Sequence, residues 1–202
     1  MEEQITYTSD GIEIEGLLQQ VSEKGVIVTH PHPLYGGDMY NPIVETIAET
    51  FSNHGFTTLR FNFRGVGGSQ GNYDDGIGEL RDVYNAITFL TECGTHKIYI
   101  AGYSFGAWIN AHLSHKDASY AEMIMVSPPL ALMDFAFCQK ILGLKLVVSG
   151  SRDEIAPAEQ IKKTIPTWNP DANVKIIPEA DHFYSGYLDD LAAALDTYIR
   201  SE

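Results

Sequence analysis

The apolar residues of the chain follow two different patterns, and both predict strands. Near the start, Ile5–Thr8 and Ile12–Leu18 alternate apolar and polar residues, and Asp10-Gly11 lies between them. Alternation is typical of a strand with one buried face, and Asp-Gly readily adopts the positive φ angles of a tight turn. The first predicted element is therefore an antiparallel β-hairpin.

Six later segments are short and continuously apolar. Continuous apolar character favours strands of a parallel sheet that is covered by helices on both faces. These segments are Val26–Thr29, Thr57–Phe61, Ile98–Ala101, Met123–Val126, Leu144–Val148 and Val174–Ile177.

Apolar residues at helical spacing occur between these strands. Asn41-Pro42 predicts a helix start, because Asn is a good cap and Pro is tolerated in the first turn. The apolar helix faces are Ile43, Ile47 and Phe51; Val83, Ala86, Ile87 and Leu90; and Leu191, Leu195, Tyr198 and Ile199.

These elements predict the fold class. Two antiparallel strands followed by about six β-α units predict an α/β fold with a mostly parallel, roughly eight-stranded sheet and helices on both faces. No repeat or linker divides residues 1–202, so we expect a single domain.

Composition and charge narrow the classes of function. The 202 residues are 44% hydrophobic and 20% charged, which is ordinary for a globular protein. The net charge of −14 argues against a nucleic-acid partner, because phosphate binding requires clustered Lys and Arg. The same charge mildly disfavours strongly anionic substrates.

The cysteines and the N-terminal residues bear on location. Cys93 and Cys138 do not form a disulfide framework or a metal cluster, and free thiols suit a reducing compartment. The acidic N-terminal residues do not resemble a signal peptide, and no stretch approaches the roughly 18 apolar residues of a membrane span. We therefore expect a cytoplasmic protein without a membrane span. The oligomeric state does not follow from these features.

The motif Gly-x-Ser-x-Gly occurs twice, around Ser69 and around Ser104. A nucleophile elbow requires a strand that runs directly into a sharp turn and then a helix. Ser104 follows the predicted strand Lys97–Ala101 and precedes a predicted helix over 107–113. Ser69 lies in a loop several residues after Thr57–Phe61, where glycines more often serve tight turns. Ser104 is therefore the candidate nucleophile, and the loop of Ser69 also lacks the glycine spacing of a dinucleotide site.

A serine nucleophile needs a neighbouring base and a group that orients that base. His182 is the candidate base, because it lies in the loop after the last predicted strand and can fold back over the carboxyl edge of the sheet. Asp153 and Glu154 compete as the orienting acid, and Asp153 is preferred because it lies one residue nearer its strand. Glu154 is then a solvated carboxylate near a helix start, and Asp181 is expected to have a structural role in its loop.

These features resemble the α/β-hydrolase superfamily along almost the whole chain. The order Ser…Asp…His is typical of that superfamily. Within it, the chain is similar to short bacterial hydrolases with a His-Pro-His-Pro…Gly-Gly loop. It is distantly similar to dienelactone hydrolases, which typically have a cysteine where this chain has Ser104. The matching blocks are His30-Pro31-His32-Pro33-Leu34-Tyr35-Gly36-Gly37, Arg64-Gly65-Val66-Gly67-Gly68-Ser69, the Ser104 motif, and the loops of Asp153 and His182.

The resemblance implies a serine hydrolase that cleaves carboxylic esters or thioesters through an acyl-enzyme on Ser104, without a metal or organic cofactor. A small peptidase or amidase with the same three residues is one alternative. A non-catalytic binding protein with a hydrolase-like fold is the other.

The resemblance also places an oxyanion hole, formed by backbone N–H groups. One donor is expected to be Phe105, the residue after the nucleophile, and the other to come from the loop after the first parallel strand. Pro31 and Pro33 have no N–H. His32 follows the position that matches the family's usual His-Gly, so the resemblance favours its N–H as the second donor, with Leu34 as the alternative.

Larger relatives insert a cap domain between the strands that here are Met123–Val126 and Leu144–Val148. This chain has room there for one short helix, over 130–138, so we expect no cap domain and an open site. Candidate residues for an acyl-binding surface are Tyr35, Tyr103, Trp108 and Phe183.

Overall fold

Eight strands and five α-helices form in the computed structural model, which describes residues 1–113, 119–141 and 143–201. The strands are β1 (Glu3–Ser9), β2 (Ile12–Gln19), β3 (Lys24–Thr29), β4 (Thr57–Phe61), β5 (Lys97–Tyr103), β6 (Glu122–Val126), β7 (Leu144–Gly150) and β8 (Asn173–Ile177). The helices are α1 (Pro42–Asn53), α2 (Ile77–Glu92), α3 (Phe105–Leu113), α4 (Ala158–Trp168) and α5 (Leu188–Ile199).

All eight strands belong to one sheet, in the order β1-β2-β4-β3-β5-β6-β7-β8. The pairs β1/β2 and β2/β4 are antiparallel, and the remaining pairs are parallel. Asp10 and Gly11 turn the hairpin with φ angles of 49° and 83°. The predicted fold class is confirmed, and parallel pairing brings the carboxyl ends of β3–β8 to one edge, where α/β folds bind ligands.

The two faces of the sheet explain the continuous apolar strands. In β5, Tyr99 and Ala101 pack with residues of α1 and α5, whereas Ile98 and Ile100 pack with residues of α2 and α3. Successive side chains of a strand point to opposite faces, so a strand covered on both sides has no exposed position. Each large apolar side chain buried in this way contributes about 1.5–3 kcal/mol relative to an exposed one.

The connection between β6 and β7 is short, as expected without a cap domain, but the helix predicted over 130–138 is wrong. Turns form there instead. The carbonyl of Pro129 accepts hydrogen bonds from the N–H groups of Leu132 and Met133, which makes a single turn. The N–H of Ala131 donates to the carbonyl of Ile155 in a neighbouring loop at 3.0 Å, so the segment is docked there and does not continue as a helix.

Across the described ranges, no helix combines the length and the apolar character that crossing a membrane requires.

Candidate active site

A single residue, Ser104, forms the turn between β5 and α3. Strand β5 ends at Tyr103 and α3 begins at Phe105, which leaves Ser104 with a left-handed φ of 53°. A non-glycine residue in this region costs on the order of 1–3 kcal/mol and persists only where its surroundings hold it. Here the Ser104 N–H donates to the Val126 carbonyl at 2.9 Å, and the Ser104 carbonyl accepts from Ala107 N–H at 2.9 Å.

The two glycines of the Ser104 motif are required by close packing. A Cβ on Gly102 would lie 2.6 Å from the backbone nitrogen of Ala107, and a Cβ on Gly106 would lie 2.5 Å from the carbonyl oxygen of Thr29. Real Cβ atoms do not approach backbone this closely. The glycines therefore allow α3 to start against the ends of β3 and β5, which fixes the serine at the edge of the sheet.

Ser69, in the other Gly-x-Ser-x-Gly motif, has a structural hydroxyl. Its Oγ donates to the Asn62 carbonyl at 2.7 Å and accepts from the Glu15 N–H at 3.0 Å, and the residue is buried. The surrounding glycines make the tight loop that the sequence predicts. Their φ angles are 77° at Gly65, 55° at Gly67 and 81° at Gly71.

The structure brings Ser104, His182 and Asp153 together at the carboxyl edge of the sheet. The Nε2 atom of His182 lies 3.0 Å from Ser104 Oγ, and its Nδ1 lies 3.0 Å and 2.9 Å from Asp153 Oδ1 and Oδ2. The Tyr103 hydroxyl donates to the His182 carbonyl at 2.9 Å, which anchors the loop after β8 to β5. With Asp153 ionised, Nδ1 carries the proton and Nε2 can accept one from the serine.

Asp153 is held by backbone groups of its own loop. Its Oδ1 accepts hydrogen bonds from the N–H groups of Ile155 at 2.9 Å and Ala156 at 2.7 Å, and the side chain is completely buried. Burial raises the pKa of Asp153, but the hydrogen bond from His182 and that from Ala156 outweigh burial, so the pKa lies below its ordinary value. The carboxylate is therefore an ionised acceptor with a fixed orientation.

The neighbouring acids have different surroundings. Glu154 is exposed and has no hydrogen bond or ion pair with any residue in the described ranges. Asp181 accepts from the N–H groups of Phe183 at 3.0 Å and Ser185 at 3.2 Å, which is the structural loop role expected of it.

The two predicted oxyanion donors are the N–H groups of Phe105 and His32, and both residues line the same cleft as Ser104. Phe105 is the first residue of α3, so its N–H has no helical acceptor. Neither that N–H nor the N–H of His32 donates to another group of residues 1–113, 119–141 or 143–201. The alternative donor, Leu34, donates its N–H to His32 Nδ1 at 3.2 Å and is thus already paired.

His30 supports the same loop from inside the protein. It is completely buried, and its Nε2 accepts the Phe63 N–H at 3.0 Å while Nδ1 donates to the Pro31 carbonyl at 2.6 Å. Burial lowers the pKa of His30 from 6.5 to about 4, so the imidazole is neutral at pH 7. This histidine connects the loop after β3 to the loop after β4.

A cleft of about 530 Å³ opens over Ser104. Tyr35, Tyr103 and Phe183 line it, as predicted, but Trp108 does not. Trp108 packs against Phe105 and donates its Nε1–H to the Asp134 carbonyl at 2.8 Å, so its role is in the packing of α3.

Sequence reasoning missed one wall of the cleft. The residues of this wall come from the β6–β7 connection and from the loop after β7. The only sequence pattern that could have predicted them is a proline pair followed by scattered apolar residues. The wall residues are Pro129, Leu132, Met133 and Ile155. The other lining residues missed are Pro31, Gly36, Gly37 and Asn41.

Known proteins are similar to this chain in both sequence and structure. The model of a family described as serine aminopeptidase, S33, matches residues 36–146. An uncharacterized protein of Rickettsia prowazekii is 34% identical over 183 residues, which span 86% of this chain and 77% of that protein.

Two solved structures share the fold over nearly their full length. An alpha-beta serine hydrolase homologue from Coxiella burnetii has a TM-score of 0.89 and 33% identity, covering 97% of this chain and 96% of that one. A serine hydrolase without a lid from Xanthomonas campestris has a TM-score of 0.90 and 28% identity, covering 99% and 94%.

Proposed function

The chain belongs to the α/β-hydrolase superfamily, in the family described as serine aminopeptidase, S33, and we propose that it hydrolyses carboxylic esters or thioesters through an acyl-enzyme on Ser104. The observation that carries the proposal is the hydrogen-bonded series from Asp153 through His182 to Ser104, which ends in an apolar cleft. Fold alone supports many chemistries, so the proposal rests on this site.

In the acylation step, His182 Nε2 accepts the Ser104 hydroxyl proton as Oγ attacks the substrate carbonyl carbon. The carbonyl oxygen becomes an oxyanion, which the N–H groups of Phe105 and His32 stabilise; a single such donor is worth about 3 kcal/mol of barrier. Asp153 stabilises the imidazolium that forms. When the tetrahedral intermediate collapses, the carbon–oxygen or carbon–sulfur bond breaks and His182 gives its proton to the leaving alcohol or thiol.

Deacylation repeats the same steps with water. His182 Nε2 takes a proton from a water molecule, which attacks the acyl carbon on Ser104 Oγ. Collapse of the second tetrahedral intermediate releases the carboxylic acid and returns the proton to the serine. No step requires a metal or an organic cofactor.

The lining of the cleft favours ester over aminopeptidase activity. An aminopeptidase binds a free α-ammonium group, and a buried cation needs a carboxylate partner. Among the described residues that line the cleft there is no Asp or Glu. The carboxylate of Asp153 is hydrogen-bonded to Nδ1 of His182, and its side chain is completely buried. Apolar side chains such as Leu132 and Phe183 are instead suited to an uncharged acyl group.

A panel of three substrates that share the butyryl group but differ in the bond to be cleaved, together with one aminopeptidase substrate, tests the proposal. We would compare p-nitrophenyl butyrate, S-phenyl thiobutyrate and butyryl p-nitroanilide, with leucine p-nitroanilide as the aminopeptidase substrate and Ser104→Ala as the control. The ester and thioester are expected to be hydrolysed fastest and the leucine anilide slowest. Faster turnover of the leucine anilide would favour the aminopeptidase alternative. Absence of turnover on all four, with no fluorophosphonate adduct on Ser104, would favour the binding-protein alternative.

A further inference from the structure

The imidazole of His32 contacts both segments that carry the proposed oxyanion donors. Its ring centroid lies 4.6 Å from that of Phe105, and its Nδ1 accepts the Leu34 N–H at 3.2 Å. Because Nδ1 accepts, the proton of the neutral ring is on Nε2, which lies 3.5 Å from the Tyr73 hydroxyl oxygen. Burial lowers the pKa of His32, which favours this neutral form.

Hydrogen bonds to the His32 carbonyl also fix the backbone of this loop. The His32 carbonyl accepts hydrogen bonds from the N–H groups of Tyr35 and Gly37, both at 3.1 Å. A Cβ on Gly37 would lie 2.2 Å from the Pro31 carbonyl oxygen, so only glycine permits this close turn. Within the same turn, the Gly36 N–H donates to the Pro33 carbonyl at 3.2 Å, and the Leu34 N–H has the imidazole as its acceptor.

We propose that the His32 side chain is a positioning residue, which sets the distance between the backbone N–H groups of His32 and Phe105 so that both reach one oxyanion. It does so in two ways. Nδ1 closes the turn that begins at its own residue, and the ring packs on the Phe105 side chain. This inference rests on the proposed function, because it concerns the oxyanion hole of that same reaction.

Three substitutions separate the two contacts. His32→Asn keeps an acceptor for the N–H two residues ahead, as Asn41 Oδ1 accepts from Ile43 N–H at 3.0 Å in this protein, but it lacks the ring. His32→Phe keeps a ring against Phe105 but lacks the acceptor. His32→Ala removes both.

The expected effect is on kcat, because the donors act mainly on the oxyanion of the transition state. His32→Ala should lower kcat for p-nitrophenyl butyrate by roughly 10- to 100-fold with little change in KM, since a displacement of about 1 Å can cost that much. His32→Asn and His32→Phe should each recover part of the loss. The Ki of a butyl trifluoromethyl ketone, which forms a tetrahedral adduct with the serine, should rise in parallel with the loss of kcat/KM.

His54→Ala is the matched control. His54 is a histidine at the end of α1 whose Nε2 lies 2.8 Å from Asp196 Oδ1, and it does not line the cleft. This variant should shift the thermal midpoint and leave kcat and Ki unchanged.

Several results would overturn the inference. They are an unchanged kcat in folded His32→Ala, a rise in KM alone, or a fall in kcat with no change in the Ki of the ketone. Recovery by His32→Phe alone, with His32→Asn no better than His32→Ala, would contradict the role of Nδ1. If the unmodified protein neither hydrolyses the ester nor binds the ketone, the proposed function itself fails, and this inference fails with it.

Discussion

The backbone of Gly150 lies so close to the carbonyl group of Ala180 that a Cβ at position 150 would be 2.1 Å from the Ala180 oxygen. The Arg152 N–H donates to the same oxygen at 2.9 Å. Gly150 is the last residue of β7, and Ala180 precedes His182 by two residues. This contact therefore joins the loop that carries Asp153 to the loop that carries His182.

Gly150→Ala is expected to separate these two loops and lower kcat by roughly 10- to 100-fold, because catalytic geometry tolerates little displacement. The extra methyl should also lower the free energy of unfolding by about 1–3 kcal/mol. Ester kinetics and urea denaturation measure the two effects. Gly25→Ala is the control, since its Cβ would lie 2.8 Å from Thr95 at the opposite edge of the sheet. If both variants are destabilised and both keep full kcat, the contact does not position the site.

Substitution of the two motif serines should separate their roles. Ser104→Ala is expected to lower turnover by roughly 10⁴- to 10⁶-fold, and peptide mapping should find the fluorophosphonate adduct on Ser104. Ser69→Ala removes two hydrogen bonds, of which the one to the Asn62 carbonyl is buried, and should cost about 1–3 kcal/mol of stability, with the labelling of Ser104 retained. An adduct on Ser69 would refute the assignment of the nucleophile.

The two adjacent acids should differ sharply. Asp153→Asn is expected to cut turnover by about 10⁴-fold, because an amide at this position favours the wrong tautomer of His182. Glu154→Gln should change turnover by less than about tenfold, since it alters only a surface charge. Single-turnover kinetics of both variants provide the measurement. The reverse ranking would move the orienting role to Glu154.

The buried His30 should make stability depend on pH. Its pKa in the folded state is about 4, below the ordinary 6.5, so between these values the unfolded chain binds more protons than the folded one. Stability should therefore fall as the pH drops from about 6.5 to about 4, by at most about 1.4 kcal/mol per pH unit from this group.

His30→Gln retains hydrogen-bonding groups but does not titrate. Its free energy of unfolding, measured in urea at pH 7 and pH 5, should change less with pH than that of the unmodified protein. Equal pH dependence in the two proteins would show that His30 does not contribute.

Much of the fold follows from local pattern. The alternation in Ile5–Thr8 and the apolar run of Thr57–Phe61 predicted strands because burial on one or two faces constrains neighbouring residues directly. Ser104 was distinguished from Ser69 for the same reason: an elbow needs a strand and a helix that adjoin it in the sequence. These predictions required no knowledge of distant contacts.

Other features were decided only by tertiary structure. The choice between the His32 and Leu34 N–H groups as the second oxyanion donor depends on the hydrogen bond from the Leu34 N–H to the His32 ring. The position of residues 130–138 depends on the hydrogen bond from Ala131 to the distant carbonyl of Ile155. The cleft wall that includes Leu132 likewise forms only when two loops meet. Such contacts join residues far apart in the chain or depend on a particular side-chain rotamer. The periodicity of hydrophobic residues therefore does not predict them.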